Sequence, residues 1–311
     1  MLGAGGVAGQ AYHLAVLASL RDAWGWDARD AAIVVGTSVG SLVGALIRAG
    51  ASTDELIVEA SGGPLEGPDG VLVDAGHAPD PPEATSLLGR PHVTLRELTA
   101  RIRREPRVPP RTALGSLLPR GRCEAQRHAD WVDEVVGARW PSDPLWVCAT
   151  ELPTLERVVW GRDGRSGPSI GTAVAASCAV PALLEPIAFD GHEYVDGGLY
   201  STTNADVLAG RALDLVIVSA PMSVDGSSGG SASLDRLGRE LLRRSVQREV
   251  AALRDEGTRI VTLQPRVEEL APLRASTLGR AAAGRAIEEL REHLRHRLRS
   301  IETSDSGPVG E

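Results

Sequence analysis

The sequence predicts an α/β domain, and three observations carry that prediction. Ala31–Val35 is a run of small and β-branched residues that reads as a buried strand; it passes through Gly36-Thr37-Ser38-Val39-Gly40 into an apolar-periodic, helix-like stretch. The same strand-and-helix rhythm returns after Trp140-Pro141, with strands expected at Leu145–Ala149, Leu215–Ser219 and Arg259–Leu263. The 311 residues are 42% hydrophobic and 24% charged, which suits one large soluble core.

In chain order, Gly3-Ala4-Gly5-Gly6-Val7-Ala8-Gly9 is a glycine-rich loop. A helix follows from about Gln10 to Trp24, where Leu14, Leu17, Ala18 and Leu20 repeat at helical spacing. Ser52-Thr53-Asp54-Glu55 is a capping box that opens a short helix to about Ala60. Residues 61–92 are rich in Gly and Pro and read as a long loop or insertion. Thr94 and Glu97 form a second capping box, for a helix that Pro106 ends.

Arg157–Trp160, followed by Gly161-Arg162-Asp163-Gly164, reads as half of a hairpin. Ser169–Ser177 is a small-residue helix closed by Pro181, and Glu193-Tyr194-Val195 leads into Asp196-Gly197-Gly198. After Leu215–Ser219 come a Gly/Ser-rich loop at Ser223–Ser231, a long helix at about Leu234–Asp255 and a last helix at about Ala281–Arg299. The expected organisation is a single domain over residues 1–301, with an Arg/Pro-rich insertion at about 61–128 and a disordered tail at 302–311.

Composition excludes several function classes. All 33 basic residues are Arg, so no lysine nucleophile, Schiff base or P-loop lysine exists. A net charge of −8 argues against nucleic-acid binding by the chain as a whole. Locally, Arg90–Arg127 carries ten Arg against three acids, a charge of +7. That run is either a solvated face of the insertion or a lid that attracts a phosphate or carboxylate headgroup. Three cysteines, Cys123, Cys148 and Cys178, form no C-x-x-C pair and point to a reduced, cytoplasmic setting. No stretch is long enough for a membrane span, and the start lacks the pattern of a signal peptide.

Chemistry concentrates at Ser38. In a G-x-S-x-G elbow between a strand and a helix, the serine backbone is strained and the hydroxyl projects at the helix N-terminus. The alternative is a buried small-residue turn. The first glycine loop fits a G-x-G-x-x-A dinucleotide fingerprint, but no acid stands at the end of the next strand to hold a ribose. An oxyanion hole formed by the Gly5 and Gly6 amides is the stronger reading. Seven histidines are available as bases, yet only His293 and His296 follow a plausible acid as a Ser-acid-His order requires, and both fall in a charged helix. Asp196, at a strand end with two glycines after it, can instead take the Ser38 proton directly. Taken alone, Asp-Gly-Gly is also an ordinary turn.

Four segments in order, Gly3–Gly9, Gly36–Gly40, Ala176-Ser177-Cys178-Ala179-Val180-Pro181 and Asp196-Gly197-Gly198, resemble the successive motifs of patatin-like phospholipases. The resemblance spans about residues 2–220. It implies a three-layer α/β/α fold with a central, mostly parallel sheet and a Ser–Asp dyad, with Ser38 as nucleophile and Asp196 as base. It further implies an oxyanion hole from Gly5 and Gly6 together with Val39, and hydrolysis of lipid acyl esters with no metal or cofactor. The expected partners are a lipid or other acyl-ester substrate and a transient membrane surface. Transfer of the acyl group to an alcohol or amine, or lipid or protein binding without turnover, are the alternatives. The chain departs from the family pattern in carrying Ala4 for a glycine and Ala8 for an arginine, and Met1-Leu2 leaves little of the strand before the loop.

Overall fold

A computed structural model of the chain describes residues 1–66, 72–73, 92–94, 98–99, 110–152, 154–162, 167–225 and 234–305. In order, the elements are α1 (Gly6–Trp24), β1 (Val34–Thr37), α2 (Val39–Arg48), α3 (Thr53–Ala60), β2 (Leu65–Glu66), β3 (Leu72–Val73), α4 (Pro110–Gly115) and α5 (Gln126–Val136). Then follow β4 (Leu145–Leu152), β5 (Arg157–Trp160), α6 (Ile170–Cys178), β6 (Ile187–Phe189), β7 (His192–Asp196) and β8 (Leu215–Ser219). The last are α7 (Leu234–Asp255), β9 (Arg259–Leu263), α8 (Leu270–Ala275) and α9 (Arg280–Asp305).

The sheet forms because its strands bury both faces. Val34, Val147 and Ala149 face a large core built with α1, α2, α5, α6 and α9, whereas the alternate residues Val35, Trp146 and Cys148 face a second core with α7 and the turn at 205–208. Helices on both faces of one sheet make three layers, and the fold is the expected mixed α/β one with a mostly parallel central sheet. β1 runs parallel to β4 and β8 parallel to β9, while β5 and β7 each pair antiparallel with β4, and β6 antiparallel with β7. Leu2 joins the two parallel halves. Its amide donates to Val35 O at 2.8 Å and its carbonyl accepts from Thr37 N at 3.0 Å. On the other side, Ser219 N donates to Met1 O and Gly3 N to Ser219 O, each at 3.0 Å. The strand before the glycine loop is thus a bridge one residue wide.

Several expected boundaries move; the strand expected at Leu145–Ala149, for one, runs on to Leu152. The first helix starts at Gly6 rather than Gln10, because Gly5 already holds its N-cap position; most of the glycine run is helix. The first strand is Val34–Thr37 rather than Ala31–Val35. Ala28–Asp30 is a 3₁₀ turn, and the Ala31 carbonyl accepts from the Arg48 guanidinium at 2.5 Å instead of from a strand neighbour. The last helix continues to Asp305, past the expected end at Arg299. By contrast, the Ser52 capping box forms with both of its bonds, and Leu215–Ser219, Leu234–Asp255 and Arg259–Leu263 fall on expected bounds. Most of the 61–128 insertion, including the Pro106 helix end, lies outside the described residues, and so does the 226–231 part of the Gly/Ser-rich loop.

Candidate active site

Two strands deliver the site by approaching one point of β4 from opposite directions. Parallel β1 ends with Thr37 opposite Cys148, and antiparallel β7 ends with Asp196 opposite the next residue, Ala149. Ser38, one residue beyond Thr37, therefore meets Asp196 although 158 positions separate them in sequence. The Ser38 hydroxyl lies near enough to the Asp196 carboxylate to pull its pKa down against the effect of burial. Both residues are buried, each 5% exposed.

Ser38 sits at φ 54°, ψ −131°, a region costly for any residue with a side chain. The surroundings hold it there. Its amide donates to Ser177 Oγ at 2.8 Å, and Ser177 donates onward to Cys148 O at 2.6 Å. Its carbonyl accepts from the Ser41 amide at 2.7 Å and the Ser41 hydroxyl at 2.6 Å. Gly40 lets the turn lie against the bridge at Leu2: a Cβ there would stand 2.2 Å from Leu2 O.

Asp196 is fixed as firmly. Its amide donates to Ala179 O at 3.0 Å, its carbonyl accepts from Thr150 Oγ1 at 3.1 Å, and its Oδ1 accepts from Gly198 N at 2.6 Å. Burial pushes the carboxyl up from 3.8 to about 6, against the opposing pull of the Ser38 and Gly198 donors. A carboxylate so poised can accept a proton near neutral pH. Beside the pair, Cys178 lies against the Ser38 and Ser41 hydroxyls; burial pushes its thiol well above the usual range, so it is no thiolate nucleophile.

The three expected oxyanion donors stand at helix starts. Gly6 and Val39 are the first residues of α1 and α2 and Gly5 caps α1, so none of these amides has a carbonyl one turn back to bond. A family model described as patatin-like phospholipase matches residues 1–209. The chain belongs to that family. No curated protein matches it. Patatin-like phospholipases act on lipid substrates, and membership supports lipid acyl hydrolase activity in general.

In this member of the family, His192 and two of the arginines are committed elsewhere. His192 bonds Glu151 at 2.9 Å, and Arg120 pairs with Glu193. Arg127 pairs with Glu124 at 3.4 Å; six of the ten arginines of the Arg90–Arg127 run lie outside the described residues. Among the described residues no three His, Cys, Asp or Glu side chains converge to hold a metal, and no helix is long and apolar enough to cross a membrane.

Sequence reasoning missed the residues that brace the site. His13 was visible only as one histidine of seven, and Ser177 only as part of a motif. Asn204, fully buried at φ 54°, donates to Thr37 Oγ1 at 3.0 Å and Ser201 O at 2.6 Å, tying the end of β1 to the loop after Asp196. Glu249 on α7 holds that loop by accepting from Thr203 Oγ1 at 2.6 Å and Ala205 N at 2.9 Å. An Asn in the left-handed region leaves no period in a sequence, so no pattern flagged it.

Proposed function

We propose that the protein is a serine acyl hydrolase of the lipase, phospholipase A or lysophospholipase type. The contact between Ser38 and Asp196 carries this reading. Ser38 Oγ attacks the ester carbonyl while Asp196 takes its proton; the carbonyl oxygen becomes an oxyanion that the Gly5, Gly6 and Val39 amides receive. Collapse expels the alcohol, which takes the proton back from Asp196, and leaves an acyl-Ser38 ester. Water then attacks with Asp196 as base, and the acid leaves with Ser38 restored.

Exposed apolar side chains favour an acyl chain as the substrate's bulk. Val7 stands in the first turn of α1, Met222 follows Pro221 beside Gly5, and Val180 follows the Ala179 that holds Asp196. Leu114, 72% exposed, precedes Gly115, which abuts Leu199 next to the Asp196 loop. The test is Ser38→Ala and Asp196→Asn on short and long p-nitrophenyl esters. Both variants should lose hydrolysis by roughly a thousandfold or more; wild-type rates in either one overturn the dyad.

A further inference from the structure

The glycine loop is held by a histidine that the reaction above does not use. His13 lies on α1, fully buried, between two elements. Nε2 is 2.7 Å from Gly3 O, and Nδ1 is 2.7 Å from Ser219 Oγ. A carbonyl can only accept, so Nε2 carries the proton; Nδ1 then accepts, and the Ser219 hydroxyl donates. Both ring nitrogens are consumed, which removes His13 as a general base. Burial pushes the imidazole down to about 4, in keeping with a ring that stays uncharged.

What these bonds orient is a peptide plane. Gly3 C=O and Ala4 N–H belong to the same peptide unit. His13 holds its oxygen, and Thr202 O accepts from its N–H at 2.7 Å. With both ends fixed the plane cannot rotate, and the next amide along the chain is that of Gly5. Gly5 in turn packs where a Cβ would stand 2.8 Å from Pro221 Cγ, so the loop is walled by the segment just after Ser219. α1 therefore braces the loop that precedes it, through a side chain two turns into the helix.

We infer that His13 is a positioning residue: by joining the Gly3 carbonyl to the Ser219 hydroxyl it aims the Gly5 and Gly6 amides at the oxyanion. The inference rests on the serine-hydrolase reading above. It predicts a defect confined to the transition state, because the substrate in its ground state makes little use of those amides.

The experiment compares His13→Leu, His13→Gln and Ser219→Ala in the full chain, with p-nitrophenyl butyrate as substrate and an alkyl trifluoromethyl ketone as oxyanion-forming inhibitor. His13→Leu should lower kcat roughly 10- to 100-fold, with KM within about twofold, and weaken the ketone by a matching factor. Gln can donate to Gly3 O and accept from Ser219, so His13→Gln should recover most of the loss. Ser219→Ala, which removes only the outer support, should show a smaller fall in kcat with the same split. An unchanged kcat in His13→Leu overturns the inference, as does a change in KM alone. Should His13→Leu fail to fold, an unchanged kcat in Ser219→Ala overturns it. Ser38→Ala separates the two levels: its full activity would sink the hydrolase reading, whereas its inactivity beside an unimpaired His13→Leu sinks only the positioning role.

Discussion

Ser177 Oγ accepts a hydrogen bond from the Ser38 amide at 2.8 Å and donates one to Cys148 O at 2.6 Å, so the strained residue hangs from β4 by a hydroxyl bridge. Ser177→Ala leaves a buried N–H and a buried carbonyl unpaired, a cost of about 1–3 kcal/mol for each group left unsatisfied. Relaxation at φ 54° would then swing the Ser38 hydroxyl off Asp196. Expected are a kcat lower by roughly 10- to 100-fold and a reduced Tm, read from steady-state kinetics and a melting curve.

In the proposed Ser38–Asp196 dyad, the raised Asp196 carboxyl sets the acid limb of the rate profile. Asp196 must be ionised to take the Ser38 proton, so kcat/KM should rise with pH, bend at about 6 and level off above it. A pH–rate profile between about 4 and 8.5 checks this, and a limb near the ordinary carboxylate value of 3.8 would contradict it.

The same shift has the opposite sign for stability. Asp196 is harder to ionise in the folded chain than in the unfolded one, so its penalty is absent below about pH 4 and grows until about pH 6. Asp196→Asn removes the buried charge. The variant should melt above the wild type at about pH 8, by on the order of 2–3 kcal/mol, and the gap should close near pH 4. Paired melting curves at the two pH values decide it.

Gly40→Ala places a methyl group 2.2 Å from Leu2 O. Neither backbone can yield without parting Leu2 from β1, so a loss of about 3 kcal/mol or no folded protein at all is expected. Expression yield and Tm report it.

Arg297 on α9 is buried and reaches Tyr12 Oη and Gln264 O, each at 3.2 Å, with Glu269 at 4.0 Å. Arg297→Leu leaves the buried Glu269 with the Arg266 amide but without its nearby cation, and should cost about 3–5 kcal/mol in a denaturant titration.

Legibility in the sequence followed the range of the cause. The elbow, the Ser52 cap and β8 were readable because local spacing and side-chain shape decide them. The start of β1 was not, since the Ala31 carbonyl is taken by Arg48, 17 residues away. Ser38 and Asp196 were legible as motifs. That they touch depends on two strands meeting at consecutive residues of β4, which no local pattern encodes. His13 and Asn204 act through partners on other elements, so their residue type alone carried no signal.

The family match stops at residue 209, yet Ser219, Pro221 and Arg297 all lie after it. The matched stretch thus contains Ser38 and Asp196, while later sequence supplies the buttress behind the glycine loop. Turnover is accordingly open to change from residues 210–305, at positions that touch neither Ser38 nor Asp196.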